Sequence, residues 1–254
     1  MGNSLKIFCA NLHFGEEPPI SGTRGSGTIF FSGCNLKCIY CQNFAFSQRD
    51  SGEIISSQTL ANKMLELEKR GAHNINWVTP TPQIPFAVEA LALARENGLK
   101  IPLVYNCGGY ESLEVIKMLD GIVDIYLPDA KYSDNKVSEK FSSVKNYPKI
   151  NRAALKEMYR QVGPLITDAS GVAYRGMIIR HLVLPNGLAG TKEFLDFVAN
   201  EIGTEVTISL MNQYFPTHLA ANHPEIGRKI TEDEYAEAVN LLKEYGFESA
   251  FIQE

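Results

Sequence analysis

Residues 30–43 read FFSGCNLKCIYCQN and carry cysteine at 34, 38 and 41. The chain of 254 residues holds five cysteines in all, so three share one short loop while Cys9 and Cys107 stand apart. The loop follows the apolar run GTIFFS (27–32), which reads as a strand, and Gly33 and Asn35 permit a turn directly after it. An odd cysteine count in a chain too large to need covalent staples argues against a disulfide scaffold. Three soft thiolates on a short loop suit an iron–sulfur cluster or a zinc ion. Structural zinc asks for a fourth ligand, and neither Cys9 nor Cys107 has a close Cys or His pair beside it. Three ligands with one position left over suit a [4Fe–4S] cluster whose fourth iron binds a further group.

Outward from this loop the chain alternates strand-like and helix-like pieces. Strands are predicted at 27–32, 74–79, 99–106, 122–128, 177–185 and 205–211, and helices at 57–70, 84–97, 111–119, 152–161, 191–201 and 231–245. Continuous apolar strands between amphipathic helices imply parallel strands covered by helices. That pattern fits an open doubly wound sheet or a complete or partial (β/α) barrel. No GxGxxG follows the first strand, which counts against a dinucleotide fold. Residues 1–26 are expected to form an N-terminal arm, and 27–254 one domain ending in a helix and the tail FESAFIQE. Leu12–Gly25, rich in Gly and Pro, and Tyr132–Ile150, rich in Ser, Lys and Asn, read as loops.

A hydrophobic fraction of 44% and a charged fraction of 21% can bury a full core and are not those of a disordered chain. With 29 acidic against 24 basic residues and a net charge of -5, a broad nucleic-acid-binding surface is not expected. No apolar run approaches the roughly 20 residues of a membrane helix, and the start lacks a signal-peptide core. Gly2 is not followed by Ser or Thr at position 6, where Lys6 stands, so a myristoylation pattern is incomplete. A cytoplasmic protein is the expectation.

The spacing Cys34-x3-Cys38-x2-Cys41, directly after the first strand, resembles the signature of radical S-adenosylmethionine (radical SAM) enzymes. The resemblance implies that the three thiolates hold three irons of a [4Fe–4S] cluster. It implies that the amino and carboxylate groups of S-adenosylmethionine chelate the fourth, and that Tyr40 contacts the adenine. Reductive cleavage would then give methionine and a 5′-deoxyadenosyl radical that takes hydrogen from a substrate. A closer resemblance runs from about Leu12 to the end. HFGEEPPISGTRGSGTIFFSGCNLKCIYCQN, WVTPTPQ, NCGGYES, IYLPDAKY, MIIRHLVLPN and MNQYFP are similar to the group related to pyruvate formate-lyase-activating enzymes. Larger members carry a cysteine-rich extension ahead of this region, and Cys9 does not look like part of one, so a single cluster is expected. The resemblance also implies a flavodoxin- or ferredoxin-type electron donor and offers a glycine of a partner protein as substrate, with a small molecule as another candidate.

The family usually has Gly-Gly-Glu after its second strand, holding the methionine amino group. Here Thr79-Pro80-Thr81-Pro82 stands in that place, leaving the Thr79 and Thr81 hydroxyls or backbone carbonyls to do so. Asn106 ends the third strand, and Asp129 and Lys131 lie just past the fourth, where polar residues of a barrel face the active site. Lys131 is the candidate for the cofactor carboxylate, by analogy with the Asp-x-Lys of related enzymes; a solvated DAKYSDNK loop is the plain alternative. Arg180 and His181 interrupt an apolar strand and must point to opposite faces. Arg180 is assigned to the cofactor side, and His181 to a structural hydrogen bond. Met211, Asn212 and Tyr214 close the set on the cofactor side. His218 and His223 lack the spacing of a helical zinc pair. His13, Glu16, Glu17 and Arg24 fit a substrate entrance or a solvated arm equally well. The fold expected is α/β, a partial (β/α)6 TIM-type barrel. The rival function is a non-catalytic zinc or iron–sulfur protein with a fourth permanent protein ligand.

Overall fold

A computed structural model describes residues 4–49 and 51–253; the Gly2 start lies outside them. In chain order the elements are β1 (Lys6–His13), α1 (Pro18–Ser21), β2 (Ser26–Phe31), α2 (Phe44–Ser47), β3 (Glu53–Ile54), α3 (Ser57–Lys69), β4 (Ile75–Val78) and α4 (Ile84–Glu96). Then come β5 (Leu103–Cys107), α5 (Leu113–Met118), β6 (Ile125–Pro128), α6 (Asn135–Ser142), α7 (Tyr147–Val162), β7 (Ile166–Thr167) and β8 (Ala173–Leu182). The chain continues through α8 (Thr191–Glu201), β9 (Thr207–Met211), α9 (Glu232–Glu244) and β10 (Ala250–Ile252).

The sheet order is β10-β9-β8-β6-β5-β4-β2-β1-β3, with β7 paired to β8. From β2 to β10 every neighbouring pair is parallel, whereas β1 pairs antiparallel with both β2 and β3. The two ends, β10 and β3, are not paired with each other among the described residues. The sheet nevertheless curls, because Glu16, in the loop after β1, reaches Asn76 of β4, Asn106 of β5 and Arg180 of β8.

Period-2 alternation divides the side chains between two faces. The outer face carries Phe31, Trp77, Tyr105, Met177, Ile179 and Ile208 beneath the helices. Fully burying each such residue contributes roughly 1.5–3 kcal/mol. The inner face has a small apolar plug of Ile20, Val104, Ile125, Leu127, Ala173 and Ile178. Polar residues sit one step further toward the strand ends on the same face: Asn106 beyond Val104, Asp129 beyond Leu127, and Arg180 beyond Ile178.

The structure departs from the expectations in four places. Within the expected arm 1–26, the described residues join the sheet: β1 lies between β2 and the two-residue β3, and α1 inserts Ile20 into the inner core. The alternation in KIFCANLH is weak because the strand is mostly half-exposed, so its period gave little signal. The segment 132–150 is not a loop. Asp134 caps α6 by accepting from the Lys136 and Val137 amides, Phe141 buries its ring, and Pro148 sits in the first turn of α7, where a missing N–H costs nothing. The tail contains a seventh parallel strand, β10, too short to register as a period. Strand 177–185 is shifted to β8 and stops before Pro185. The helix predicted at 231–245 is present as α9, closed at its start by a Thr231/Glu234 capping box.

Candidate active site

The cysteine loop lies over the C-terminal ends of the parallel strands. It is pinned by its backbone: Gly33 N–H donates to Phe46 O, Lys37 N–H to Ser142 O at 3.0 Å, and Ile39 N–H to Phe141 O at 2.9 Å. Gly33 has φ +91, so the turn out of β2 requires glycine. Leu36 of the loop packs its Cδ1 directly on Gly108, 2.7 Å from where a Cβ would stand.

Each of the three sulfurs has a polar neighbour. Leu36 N–H donates to Cys34 Sγ at 3.4 Å, Ser142 Oγ donates to Cys38 Sγ at 3.0 Å, and Cys41 Sγ lies 3.2 Å from Ser47 Oγ. Behind Ser142 stand the hydroxyls of Tyr132 at 2.7 Å and then Tyr40, 2.6 Å from Tyr132. Because Ser142 gives its proton to sulfur, the two tyrosines must donate down the row, and the chain points from Tyr40 to Cys38. Burial pushes the Cys34 thiol up to about 12, and the neighbouring Cys38 and Cys41 add to this; the Leu36 amide and Lys131 oppose it. Burial likewise raises Cys38, against Lys131 and Ser142. In a metal-free loop Cys34 and Cys38 therefore keep their protons. Metal ligation would exchange those protons for a cation, which the surrounding hydroxyls and Lys131 accommodate by supporting charge on sulfur.

These observations fit the donor set of a cluster with three cysteine ligands. Among the described residues no group of three or more His, Cys, Asp or Glu side chains, the three loop cysteines included, is already converged on a single point. His218 stacks on Phe44, and His223 packs edge-on against Phe141 with its Nδ1 facing the Glu225 amide.

Beneath the loop lies a charged network. Asp129 accepts from Lys131 Nζ at 2.5 Å and from Arg180 Nε at 2.8 Å. Arg180 also gives Nη2 to Asn106 Oδ1 at 2.5 Å and Nη1 to Glu16 at 3.4 Å. Burial alone would raise Asp129, but Arg180 and Lys131 hold it below the ordinary carboxylate value. Burial would lower Lys131, yet Asp129 and the Cys38 sulfur raise it, so this ammonium stands between the network and the loop. His181 faces the other way, its ring nitrogens against Ala130 O at 2.7 Å and Thr191 Oγ1 at 3.0 Å. Burial pushes its pKa down to about 4.

The predicted residues are thus divided. Cys34, Cys38, Cys41 and Tyr40 are gathered in the loop layer, and Asn106, Asp129, Lys131 and Arg180 in the network below it. Tyr214 joins through its ring, 5.6 Å from Tyr40, while its hydroxyl donates to Ile226 O. Thr81 does not join: its hydroxyl donates to Glu111 at 2.9 Å. Thr79 has φ +55, strained for a β-branched residue, with its amide on Asn106 O. Asn212 ties the end of β9 to Gln253, and Met211 is buried. Of the N-terminal four, Glu16 and Glu17 are buried inside the curl, Arg24 lies at the surface with His73, and His13 packs edge-on against Phe30. Sequence reasoning missed Ser142, Tyr132 and Asn76. A Ser, a Tyr and an Asn far from the cysteines carry no spacing that would single them out.

The profile of the Radical SAM superfamily matches residues 28–168. An uncharacterized protein of Methanocaldococcus jannaschii is 33% identical over 246 residues, covering 93% of this chain and 67% of that protein. The chain belongs to the radical SAM superfamily. Solved structures of the superfamily share its fold. A radical SAM methyltransferase from Sphaerobacter thermophilus superposes with a TM-score of 0.60 at 13% identity, covering 90% of this chain and 66% of that one. SuiB of Streptococcus suis gives 0.59 at 12%, covering 90% and 48%. The pyruvate formate-lyase-activating enzyme of Clostridium pasteurianum is 28% identical over 115 residues, 42% of this chain and 46% of that enzyme. This radical SAM protein therefore spans about half to two thirds of these relatives. No helix among the described residues is long and apolar enough to cross a membrane.

Proposed function

We propose that the protein is a radical SAM enzyme that abstracts hydrogen from a substrate bound on the inner face of the sheet. The observation that supports this best is the loop carrying three cysteines within eight residues, whose Cys38 sulfur lies in the field of Lys131 of the Asp129–Lys131–Arg180 network. With a [4Fe–4S] cluster on Cys34, Cys38 and Cys41, such a centre supplies reductive cleavage of S-adenosylmethionine and a 5′-deoxyadenosyl radical. The chain's own contribution is binding and exclusion of water. Tyr40 and Tyr214 give aromatic walls beside the loop. Lys131, held by Asp129, offers a fixed ammonium for a carboxylate. The strained Thr79 presents backbone beside Asn106, where the Gly-Gly-Glu of relatives is replaced. A flavodoxin- or ferredoxin-type protein is the proposed electron donor. A glycine of a partner protein is one candidate substrate, supported by the partial similarity to the activating enzyme of Clostridium pasteurianum.

Anaerobic reconstitution tests this reading. The protein should take up about four irons and four sulfides, as a [4Fe–4S] site requires. On reduction with S-adenosylmethionine it should release 5′-deoxyadenosine, detected by mass spectrometry. Full cluster loading without any 5′-deoxyadenosine would sink the proposal. Cys38→Ala should lose both the iron and the product.

A further inference from the structure

A cavity of about 360 Å³ opens on the inner face, lined among others by Glu16, Glu17, Arg180, Met211, Gln213 and Phe251. It adjoins the cysteine loop, because Gln42, the residue after Cys41, donates its side-chain N–H to Gln213 O at 3.1 Å. Its size is at the small end for ligand pockets and suits a compact molecule or one side chain.

The charges around it do not balance. Three carboxylates, Glu16, Glu17 and Asp129, face two cations, Lys131 and Arg180. Both cations are engaged: Lys131 by Asp129, and Arg180 by Asp129, Asn106 and Glu16. Glu17 lies in the field of Arg180, yet its Oε2 accepts no hydrogen bond. This residue is 8% exposed, and that oxygen is buried. A second fully buried acceptor, Asn76 Oδ1, is also unanswered, on a side chain whose Nδ2 donates to Glu16 at 2.9 Å. Burial raises the Glu16 carboxyl; Arg180 opposes the rise and Glu17 adds to it, as expected where negative charge is under-compensated. Buried acceptors without donors lose hydration with nothing in return. A ligand bringing N–H donors and positive charge to the Glu17 carboxylate, which lines the cavity, would offset the loss there. An anion would find the cations taken and Glu17 repelling it. The remaining wall mixes the apolar Met211, Phe251 and Ile252 with the polar Ser209, Gln213 and Gln253.

We propose that this cavity binds the substrate through a cationic nitrogen, an ammonium or guanidinium on a short aliphatic stem, and that Glu17 selects it. This rests on the radical SAM reading for the claim that the ligand is a substrate. A free amine and a basic side chain of a peptide share this chemistry.

Binding to the anaerobically reconstituted protein is the test, read by calorimetry. The probes are cadaverine, the peptide Gly-Lys-Gly, neutral 1,5-pentanediol and anionic glutarate. At least one cationic probe should bind on the order of tenfold or more tightly than pentanediol, the worth of one charge-assisted hydrogen bond. Cadaverine alone would point to a free amine, and the peptide alone to a side chain. Glu17→Gln should abolish the preference, and Glu17→Asp should keep it in weakened form while both variants unfold cooperatively. Equal affinities for all probes, no binding of either cation, or a preference unchanged in Glu17→Gln overturns the inference. Release of 5′-deoxyadenosine, measured separately, keeps the two readings apart. Product without cation preference sinks this site and spares the enzyme. Cation preference without product does the reverse.

Discussion

The cysteine loop and the inner-face network lie against each other and are built by opposite means. The loop draws its three thiols from eight consecutive residues. It is fixed mostly by backbone hydrogen bonds, and its sulfurs meet neutral hydroxyls and amides. The network draws its members from five separate places in the chain, with Glu16 and Arg180 164 residues apart, and it is fixed by charge. A loop of the first kind can take up a cluster without disturbing the sheet, since none of its sulfurs carries a structural ion pair. The network is different, because every charge removed leaves a buried partner exposed to nothing.

Arg180→Met should therefore show the largest effect on folding. It takes the cation from Glu16 and one of two cations from Asp129, and a broken buried pair costs about 3–5 kcal/mol. Urea unfolding of the metal-free protein measures it, and a loss below about 1 kcal/mol would mean that the network behaves like a surface pair.

Glu111 sharpens the contrast, being a buried carboxylate without a cation. Burial pushes it up to about 7, while the hydroxyls of Thr81 and Tyr105 and the Cys107 thiol pull it down. A raised carboxyl holds its proton longer in the folded state. Stability should thus be greatest below the ordinary value of 4.5 and fall as pH rises through about 7, by roughly 3 kcal/mol in all. Asp129, held low by its cations, works in the opposite sense and loses its contribution only in acid. Because His181, held down at about 4, makes stability rise over part of the same range, the reading from unfolding is a difference: between pH 5 and pH 8 the parent should lose roughly 3 kcal/mol relative to Glu111→Gln.

The smallest effect expected is in the loop itself. Hydrogen bonds to cluster sulfurs favour the reduced form, so Ser142→Ala should shift the midpoint potential of the reconstituted protein to more negative values. One ordinary hydrogen bond of about 1 kcal/mol corresponds to roughly 40 mV for one electron. Potentiometry followed by electron paramagnetic resonance reads it, and Ser142→Thr should restore it. An unchanged potential in Ser142→Ala would mean that the tyrosine row ends at Ser142 without acting on sulfur.

The same contrast explains what the sequence discloses. Cysteine spacing after a strand is a local pattern, and so is the alternation of apolar strands with helices; both were readable, along with the opposite facing of Arg180 and His181. The partners of Arg180 were not, because Glu16 meets it only once the sheet curls. Lys131 could be picked from its place beyond a strand, but its neighbour Cys38 could not. β1 and β10 escaped notice because a strand half in water and a strand of three residues leave little periodic trace. The helical 135–142 segment was hidden by its polar composition, although Asp134 stands at its start as a capping residue.

Helix α7 has a consequence for the charged network that it never touches with a charge. One turn apart on its first half, Tyr147 and Asn151 hold the carbonyls of Gly108, Gly109 and Asp129. Gly109 has φ +72, and a Cβ there would lie 2.0 Å from the Asp129 carbonyl oxygen. The depth at which the Asp129 carboxylate sits is thus gauged from outside the sheet, by one helical turn and the absence of one carbon atom. A lineage could retune the electrostatics of the interior by sliding α7 along its axis, leaving every charged residue in place.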